Sequence, residues 1–357
     1  MGVMIHKIIV ECHHAMGDVL MTFPALQKLY EVFYGIRIDF ICGAKEQIPL
    51  IEQSGIVHTC YVLNVRTDSV LQIVKLCAAL RLQSYDLGIA LGQSPTGLDV
   101  LLLKACGCRQ VISLQNQKAV DKNYIGVDTA HFSHRVQQHM ACVQKAVQMY
   151  GMQPFCNSRF FSDPVRTLSF PDLSRCENRI GLCVGAGEFF YRKRFHKVYF
   201  QAKKWPVARW MELAVRLTGI GRKVILFGGK AEAADMAAYQ GLIRKYQILD
   251  LTGKCTITES IRHLAACSVA AGADTGLMHA AAALDIRTVT LFGPTDPDVI
   301  GPYSQKAVYI RSGISCSPCY RTKQIQKCQR RRCMQNISVE MVFQAIAEQS
   351  YSDRNDH

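Results

Sequence analysis

The amino-acid sequence predicts an α/β protein built from two doubly wound parallel sheets. Short β-branched or apolar runs alternate with longer segments of helical periodicity along most of the chain, which is the pattern of a parallel sheet covered by helices. The alternation occurs in two series, and the proline-containing stretch 152–178 between them is typical of a linker. A chain of 357 residues is also long for a single domain. Two α/β domains are therefore expected.

The first series covers roughly the first 150 residues. Its apolar, β-branched runs predict strands at 7–11, 36–42, 57–63 and 86–91. Its helical periodicity predicts a helix that begins near Asp18, followed by helices at 45–53, 69–82 and 131–150. The second series repeats this order. It predicts strands at 179–184, 223–227, 268–271 and 288–292, and helices at 205–217, 231–246, 277–284 and 339–348.

Composition and charge restrict the class of protein. The apolar residues make up 49% of the chain, but no apolar run approaches the ~20 residues that span a bilayer. The first residues reach a charge too soon for a secretory signal peptide, so we expect a cytoplasmic protein. The net charge of +14 is concentrated in the segments 192–209 and 312–339. Such basic faces favour anionic partners. Because no nucleic-acid motif accompanies them, an acidic substrate or a membrane surface is the better interpretation, with a solvated face as the alternative.

The stretch 264–297 has the strongest indication of a ligand site. A short apolar strand, a small-residue turn, an Ala-rich helix and a second strand follow one another there, which is a βαβ unit. The free amides at the start of the helix would form an anion site. Asp274 and Thr275 could cap the helix, and His279 lies one turn further on. The alternative is a capped helix with no ligand. A second small-residue turn, 292–297, follows the next strand.

The same stretch carries a resemblance to a known family. DTGLMHAAAAL at 274–284, followed by TLFGPTDP at 290–297, resembles the C-terminal signature of glycosyltransferase family 9, the ADP-heptose heptosyltransferases of lipopolysaccharide synthesis. The resemblance implies a GT-B architecture, in which two Rossmann-like domains face a central cleft. The expected domains are an acceptor-binding domain at 1–165, a nucleotide-sugar-binding domain at 166–338 with a Cys-rich loop at 312–334, and a terminal helix at 339–357 that packs back on the first domain. Neither half has a full G-x-G-x-x-G fingerprint, which argues against a dehydrogenase.

The N-terminal half supplies GDVLMTFPAL at 17–26, which is similar to the first signature of that family. The resemblance implies that Asp18 is the general base of an inverting transfer. Such a transfer needs one carboxylate to accept the proton of the acceptor hydroxyl. The alternative for Asp18 is an N-cap or first-turn acid. His13 and His14 stand where relatives often carry small hydroxyl residues, and a surface His pair is the alternative to a phosphate contact.

The resemblance also implies a donor site in the second half. Lys203, with Lys204 as its rival, precedes Trp205-Pro206 and would meet the donor diphosphate, where a cation stabilises the leaving ADP. A basic, aromatic insertion at 188–202 precedes this element where relatives are shorter. Glu232 matches an acid that contacts the ribose, with a helix-start acid as the alternative. Asp274 would hold sugar hydroxyls. The remaining contacts to the diphosphate are implied for Thr275, Gly276 and His279.

The sequence predicts no catalytic metal ion but offers one candidate site for a structural metal ion. No paired acids with metal spacing occur near the donor site, so the helix dipole and the lysine are expected to replace a catalytic divalent cation. Elsewhere, four of the 16 cysteines have the spacing Cys316-x2-Cys319-x8-Cys328-x4-Cys333. Two thiol pairs of this kind could hold a structural Zn or Fe ion, and relatives that modify autotransporter proteins carry iron there. Four reduced thiols are the alternative.

The leading hypothesis is therefore the transfer of heptose from ADP-heptose to a lipopolysaccharide inner-core acceptor on the cytoplasmic side, where peripheral contact with the inner membrane is a further expectation. The first alternative is heptosylation of autotransporter proteins. Those enzymes typically carry an additional N-terminal region, whereas here the first strand begins within about ten residues. A non-catalytic sugar-nucleotide-binding protein is an alternative of another class. Such a protein would keep the Asp274 turn and lose the base, so the presence of Asp18 argues against it.

Overall fold

The chain forms two compact units in the computed structural model, residues 1–167 and 168–357. The structure describes residues 5–64, 68–92, 97–114, 123–152, 168, 170, 172–187, 201–320, 322 and 324–351. Most of the insertion at 188–202 therefore lies outside the described residues, as does most of the proposed linker.

The first unit contains a six-stranded parallel sheet with the strand order β3-β2-β1-β4-β5-β6. Its strands are β1 (Lys7–Cys12), β2 (Arg37–Cys42), β3 (Thr59–Val62), β4 (Leu87–Ala90), β5 (Gln110–Leu114) and β6 (Tyr124–Val127). The described helices are α1 (Met16–Leu20), α2 (Phe23–Val32), α3 (Ile48–Gln53), α4 (Val70–Arg81), α5 (Leu98–Ala105) and α6 (Arg135–Met149), with a 3₁₀ turn at Lys45–Gln47. Strand β1 lies at the centre between β2 and β4, and Ile8, Ile9 and Val10 are fully buried.

The helix predicted from Asp18 onward is in fact two helices. Helix α1 ends at Leu20, and α2 begins at Phe23 with a proline in its first turn. Proline has no backbone N–H and is tolerated only in the first turn of a helix, so Pro24 starts a new helix there. The hydroxyl of Thr22 donates to the carbonyl of Val19 at 2.7 Å and closes the turn between the two helices.

The second unit repeats this architecture, with the strand order β12-β11-β10-β7-β8-β9. Its strands are β7 (Cys176–Cys183), β8 (Lys223–Phe227), β9 (Leu249–Asp250), β10 (Cys267–Ala273), β11 (Arg287–Phe292) and β12 (Ala307–Arg311). The described helices are α7 (Val207–Gly219), α8 (Lys230–Met236), α9 (Gln240–Lys245), α10 (Ile257–Ala265), α11 (Gly276–Ala283), α12 (Pro297–Ile300), α13 (Gln324–Lys327), α14 (Arg332–Gln335) and α15 (Val339–Tyr351), with a 3₁₀ turn at Ala237–Tyr239.

The last helix, α15, packs on the second unit. It contacts α7 and the strands β10, β11 and β12, and its residues Val342 and Ile346 belong to the core of that unit. The indole N–H of Trp205 donates to the carbonyl of Ile337 at 3.0 Å, directly before α15. An ion pair between Arg216 of α7 and Glu340 of α15, at 2.6 Å, adds to this packing. Packing of the helix on the first domain stays a prediction.

Candidate active site

Each sheet has one point at which the strand order reverses direction. In the second unit this point lies between β7 and β10, and in the first unit it lies between β1 and β4. In open parallel sheets, ligands bind outside the carboxyl ends of the strands at such a switch point. The residues that follow these four strands therefore form the candidate site in each unit.

A buried ionic cluster follows β10 in the second unit. The ammonium of Lys203 lies 3.2 Å from a carboxylate oxygen of Asp274 and donates to the Asp274 carbonyl at 2.7 Å. The imidazole Nε2 of His279 lies 3.6 Å from the other carboxylate oxygen. Burial alone would raise the pKa of Asp274, but the nearby charge of Lys203 and the hydrogen bond from His279 outweigh burial and hold the pKa well below its usual value. Asp274 is therefore an anion with two partners.

The sequence predicted that the side chain of Asp274 or Thr275 caps α11, and the structure shows no such cap. The carboxylate of Asp274 is engaged with Lys203 and His279, and Thr275 occupies the N-cap position of α11 without a side-chain cap hydrogen bond. The hydroxyl oxygen of Thr275 is buried and has no hydrogen-bond partner among the described residues. A buried hydroxyl in that state costs free energy unless a ligand or water satisfies it. It lies at the amino end of the eight-residue helix α11, where the first amides have no partner within the helix.

A second ion pair follows β8. The ammonium of Lys204 lies 2.9 Å from a carboxylate oxygen of Glu232, and the other oxygen accepts the amide of Gly229 at 3.0 Å. Glycines border this carboxylate: a Cβ atom at Gly228 would lie 2.8 Å from the Cβ of Glu232, and one at Gly185 would lie 3.3 Å from its carboxylate. Glu232 is thus fixed at the start of α8, while Lys203 and Lys204 contact two different acids.

The structure does not support a metal site at the four clustered cysteines. Among the described residues, which include all four cysteines, no three His, Cys, Asp or Glu side chains are placed to hold a metal ion. Cys316 is exposed and Cys328 half-buried, whereas Cys319 packs with Ala202 and Ile325, and Cys333 lies in the main core. The four thiols lie near enough to act on one another's pKa values, but the structural Zn or Fe predicted from the spacing is not supported.

The loop that carries these cysteines instead holds the turn after β11. The amides of Cys319 and Tyr320 both donate to the carbonyl of Pro294, at 2.9 and 2.8 Å, and the hydroxyl of Ser317 donates to the carbonyl of Gly293 at 2.5 Å. The loop therefore fixes the second small-residue turn predicted from the sequence, beside the carboxyl end of β10.

Asp18 lies in the first turn of α1, in the first unit. It is half-buried, and Ala15, not Asp18, occupies the N-cap position. Of the two structural alternatives for this acid, the N-cap is therefore excluded and the first-turn position is observed. His14 lies close enough to Asp18 for the carboxylate charge to affect the pKa of the imidazole. Burial lowers the pKa of His14, against the opposing effects of Asp18 and Glu11.

Glu11 is a residue that the sequence interpretation missed. Its side chain is fully buried at the carboxyl end of β1, and it accepts the backbone amide of His13 at 2.9 Å and pairs with the His13 imidazole. Burial would raise the pKa of Glu11, but these contacts with His13 and the charge of His14 lower it overall. The His13 and His14 rings stack with their centroids 5.1 Å apart. The signal for Glu11 was a charged residue within an otherwise apolar strand that leads to the switch point.

The comparison with protein families identifies the class of protein. The model described as glycosyltransferase family 9 (heptosyltransferase) matches residues 73–329, which is more than half of the chain. The chain therefore belongs to glycosyltransferase family 9, as its two signatures predicted.

Individual relatives agree with this assignment. The lipopolysaccharide heptosyltransferase 1 of Salmonella typhimurium is 32% identical over 314 residues, which cover 87% of this chain and 94% of that relative. The alignment with lipopolysaccharide heptosyltransferase 1 of Pseudomonas aeruginosa is 35% identical but spans only 124 residues, 35% of this chain and 34% of that relative's length.

Among solved structures, E. coli ADP-heptose lps heptosyltransferase II matches with a TM-score of 0.67 at 22% identity, and the match covers 98% of this chain and 99% of that one. E. coli heptosyltransferase WaaC with ADP matches with a TM-score of 0.70 at 18% identity and covers 96% and 99% of the two chains. These likenesses concern the fold, and they confirm the expected GT-B class.

Proposed function

We propose that this protein transfers heptose from ADP-heptose to a lipopolysaccharide inner-core acceptor, with inversion at the anomeric carbon. The observation that carries the proposal is the buried cluster of Lys203, Asp274 and His279 at the amino end of α11. It stands at the switch point of the unit whose sequence carries the family's C-terminal signature. The names of the relatives above support the donor and the acceptor class, because they are heptosyltransferases of lipopolysaccharide.

The donor would be held by the second unit. The free amides at Thr275 and Gly276, with the positive end of the α11 dipole, suit the diphosphate of ADP. Lys203 would add positive charge at the same place, the imidazole of His279 would donate a hydrogen bond there, and Lys204 is the second lysine within reach of the β7 and β8 ends. The carboxylate of Glu232 would accept hydrogen bonds from the ribose, and that of Asp274 from sugar hydroxyls. With fixed amides and a lysine at the leaving group, the transfer would need no divalent cation.

The reaction would combine these groups with a base from the first unit. The acceptor hydroxyl oxygen attacks the anomeric carbon of heptose and forms the new glycosidic bond, while the bond from that carbon to the β-phosphate oxygen breaks. The electron pair of the broken bond leaves with ADP, whose charge the second unit stabilises. The hydroxyl proton passes to the carboxylate of Asp18, which is half-exposed and therefore accessible.

The acceptor would be an anionic glycolipid, which accords with the excess of basic residues, and the protein would work at the cytoplasmic face of the inner membrane. Within the described part of the chain, no helix combines the length and the apolar character needed to cross a bilayer. Contact with the membrane would then be peripheral. Nucleic acid is not an expected partner.

Experiments distinguish two other functions from heptose transfer to lipopolysaccharide. A protein acceptor, as in autotransporter heptosylation, would leave lipopolysaccharide unchanged in a deletion strain. A non-catalytic sugar-nucleotide-binding protein would bind ADP-heptose without turnover.

The test is mass spectrometry of lipopolysaccharide from a deletion strain complemented with variants. Lipopolysaccharide from the deletion strain should lack a core heptose, and wild-type protein should restore it. Asp18→Asn should fail to restore it and should lower the rate of the purified enzyme by ~10²–10⁴-fold, while ADP affinity measured by calorimetry stays within about twofold because the donor groups lie in the other unit. The control is Glu52→Gln, which removes an exposed carboxylate of the same unit. Normal turnover by Asp18→Asn would remove Asp18 from the mechanism.

A further inference from the structure

Helix α4 carries large apolar side chains on the face that points to solvent. Val70, Leu71 and Val74 are 77%, 62% and 56% exposed, and Leu82, directly after the helix, is 84% exposed. Single exposed apolar residues are ordinary on protein surfaces. Four within thirteen consecutive positions of one segment are not, and they make this segment an exposed apolar patch.

The inner face of the same helix is already used for packing. Cys77 and Leu80 are buried in the apolar cluster that includes strand residues Ile9 and Val111. At 100° per residue, Leu71 and Leu82 point away from Cys77 and Leu80, and Val74 lies between the two sides, whereas Val70 lies on the side of Cys77 at the exposed start of the helix. Helix α4 is thus apolar on both faces. A helix of this kind is normally covered on both sides, whereas here only one side is covered.

The neighbouring helix α5 continues the patch. It packs against α4, and its residues Leu102 and Leu103 join the same buried cluster, so both helices cover the same face of the sheet. On its outer side, Leu98 and Leu101 are 50% and 48% exposed. We call the exposed residues Val70, Leu71, Val74, Leu82, Leu98 and Leu101 the α4–α5 face.

The charge of the α4–α5 face selects among its potential partners. The segment Val70–Arg81 contains no acidic residue, and its two basic residues, Lys75 and Arg81, are both exposed. Two copies of the chain that met through this face about a twofold axis would bring like charges together. An anionic surface with an apolar interior suits both the apolar side chains and the positive charge of this face. The cations would contact the anionic groups, and the apolar side chains would enter the layer beneath them.

We infer that the α4–α5 face docks the protein on the surface of an anionic phospholipid bilayer. The apolar side chains enter the headgroup boundary, and Lys75 and Arg81 contact lipid phosphates. The inference rests on the proposed function in one respect, since a lipid-anchored acceptor requires the enzyme to work at a membrane surface. The docking surface lies on the unit that carries Asp18, and it is separate from the residues assigned to the donor.

The experiment is co-sedimentation of the full-length protein with vesicles. One set contains equal parts phosphatidylglycerol and phosphatidylcholine, and the other contains phosphatidylcholine alone. Wild-type protein should partition into the anionic vesicles, and more weakly as salt is raised, because exposed charges are screened. The double variant Leu71→Glu/Val74→Glu should lose at least about tenfold in partitioning, since it replaces two apolar contacts by charges that the lipid repels.

The controls separate docking from folding and from the proposed chemistry. Both mutated residues are more than half exposed, so the melting temperature and ADP affinity should match those of wild type. Ile220→Glu changes an apolar residue that is 49% exposed in the second unit and should bind vesicles normally. Lys75→Gln/Arg81→Gln should weaken binding to anionic vesicles only.

The inference is overturned if wild type shows no preference for anionic vesicles or if the double variant binds as wild type does. It is also overturned if size-exclusion chromatography shows a wild-type dimer that the double variant converts to a monomer, because the face would then join two copies. Vesicle binding without any heptose transfer would leave the docking surface standing and remove the proposed function.

Discussion

Removing the buried cation Lys203 should destabilise the second unit because it leaves a buried carboxylate with one partner fewer. Lys203 and Asp274 are 7% and 4% exposed, and the Lys203 ammonium lies within 3.2 Å of the carboxylate. Removal of one partner of a buried ion pair typically costs ~3–5 kcal/mol. The imidazole of His279, 3.6 Å from the other carboxylate oxygen, still faces Asp274. We therefore expect about 3 kcal/mol for Lys203→Met, the lower end of that range.

The assay is denaturant unfolding of wild type, Lys203→Met, Asp274→Asn and the double variant. Because the double variant removes both charges, it should be more stable than the sum of the single losses predicts, by about 1–3 kcal/mol. The pKa of Asp274 is lowered in the folded protein, so the pair stabilises fully above the unfolded-state pKa of about 4 and less as the pH falls below it. The difference between wild type and Lys203→Met should shrink in the same window.

Lys204→Met is the matched control, since Lys204 also pairs with an acid but its side chain is 17% exposed against 9% for Lys203. Its loss should be smaller because water solvates the remaining carboxylate better. Strictly additive losses in the double variant, or equal losses for the two lysines, would refute the reasoning.

Three further predictions follow from the same contacts. ADP should bind equally well in calorimetry with a chelator and with added Mg²⁺, because amides and lysines neutralise the diphosphate; strict dependence on the cation would contradict this. Glu11→Gln should destabilise the first unit by about 1–3 kcal/mol at neutral pH, since His13 loses an ionised acceptor. The Glu11 pKa is lowered in the fold, so the loss should begin to shrink as the pH falls below the unfolded-state pKa of about 4.3 and disappear only below the folded-state pKa; a loss that does not change with pH would indicate packing alone. Iodoacetamide should modify the exposed Cys316 well before the buried Cys319 and Cys333. Burial raises the pKa values of these two buried thiols, that of Cys333 to about 11. Equal protection of all four thiols, with about one Zn or Fe per chain, would instead support the predicted metal site.

The strands and long helices could be predicted because their periodicity is local. Strands β1, β2, β8 and β11 lie within a residue of the expected bounds. Helix α10 was missed although Thr256 and Glu259 form a capping box at its start, so that signal was present in the sequence. Strand β9 has only two residues, too few for the apolar pattern on which a strand prediction depends. Strand β12, an edge strand, was missed although its apolar residues 307–310 carried that pattern.

The site could be predicted only as a set of residues. The signatures identified Lys203, Asp274 and His279, but the contact between positions 203 and 274 joins residues 71 apart in sequence, and no local pattern encodes it. For the same reason, Asp274 was expected to cap α11, whereas its carboxylate faces a lysine and an imidazole; its contact with sugar hydroxyls stays a prediction. The cysteine spacing did predict that the four thiols come near one another, but among the described residues no three side chains are placed to hold a metal ion, which the spacing alone could not show.

The two switch points place buried carboxylates beside different kinds of cation, and this difference bears on the division of roles. Asp274 is paired with the ammonium of Lys203 and with the imidazole of His279. Glu11 is paired with His13, and His14 lies within the influence of Asp18. Imidazoles change charge near neutral pH. A general base works best when its own pKa lies near the working pH, and neighbouring charges shift that pKa. Under the proposed mechanism the base lies in the first unit, so we expect the pH dependence of turnover to originate there.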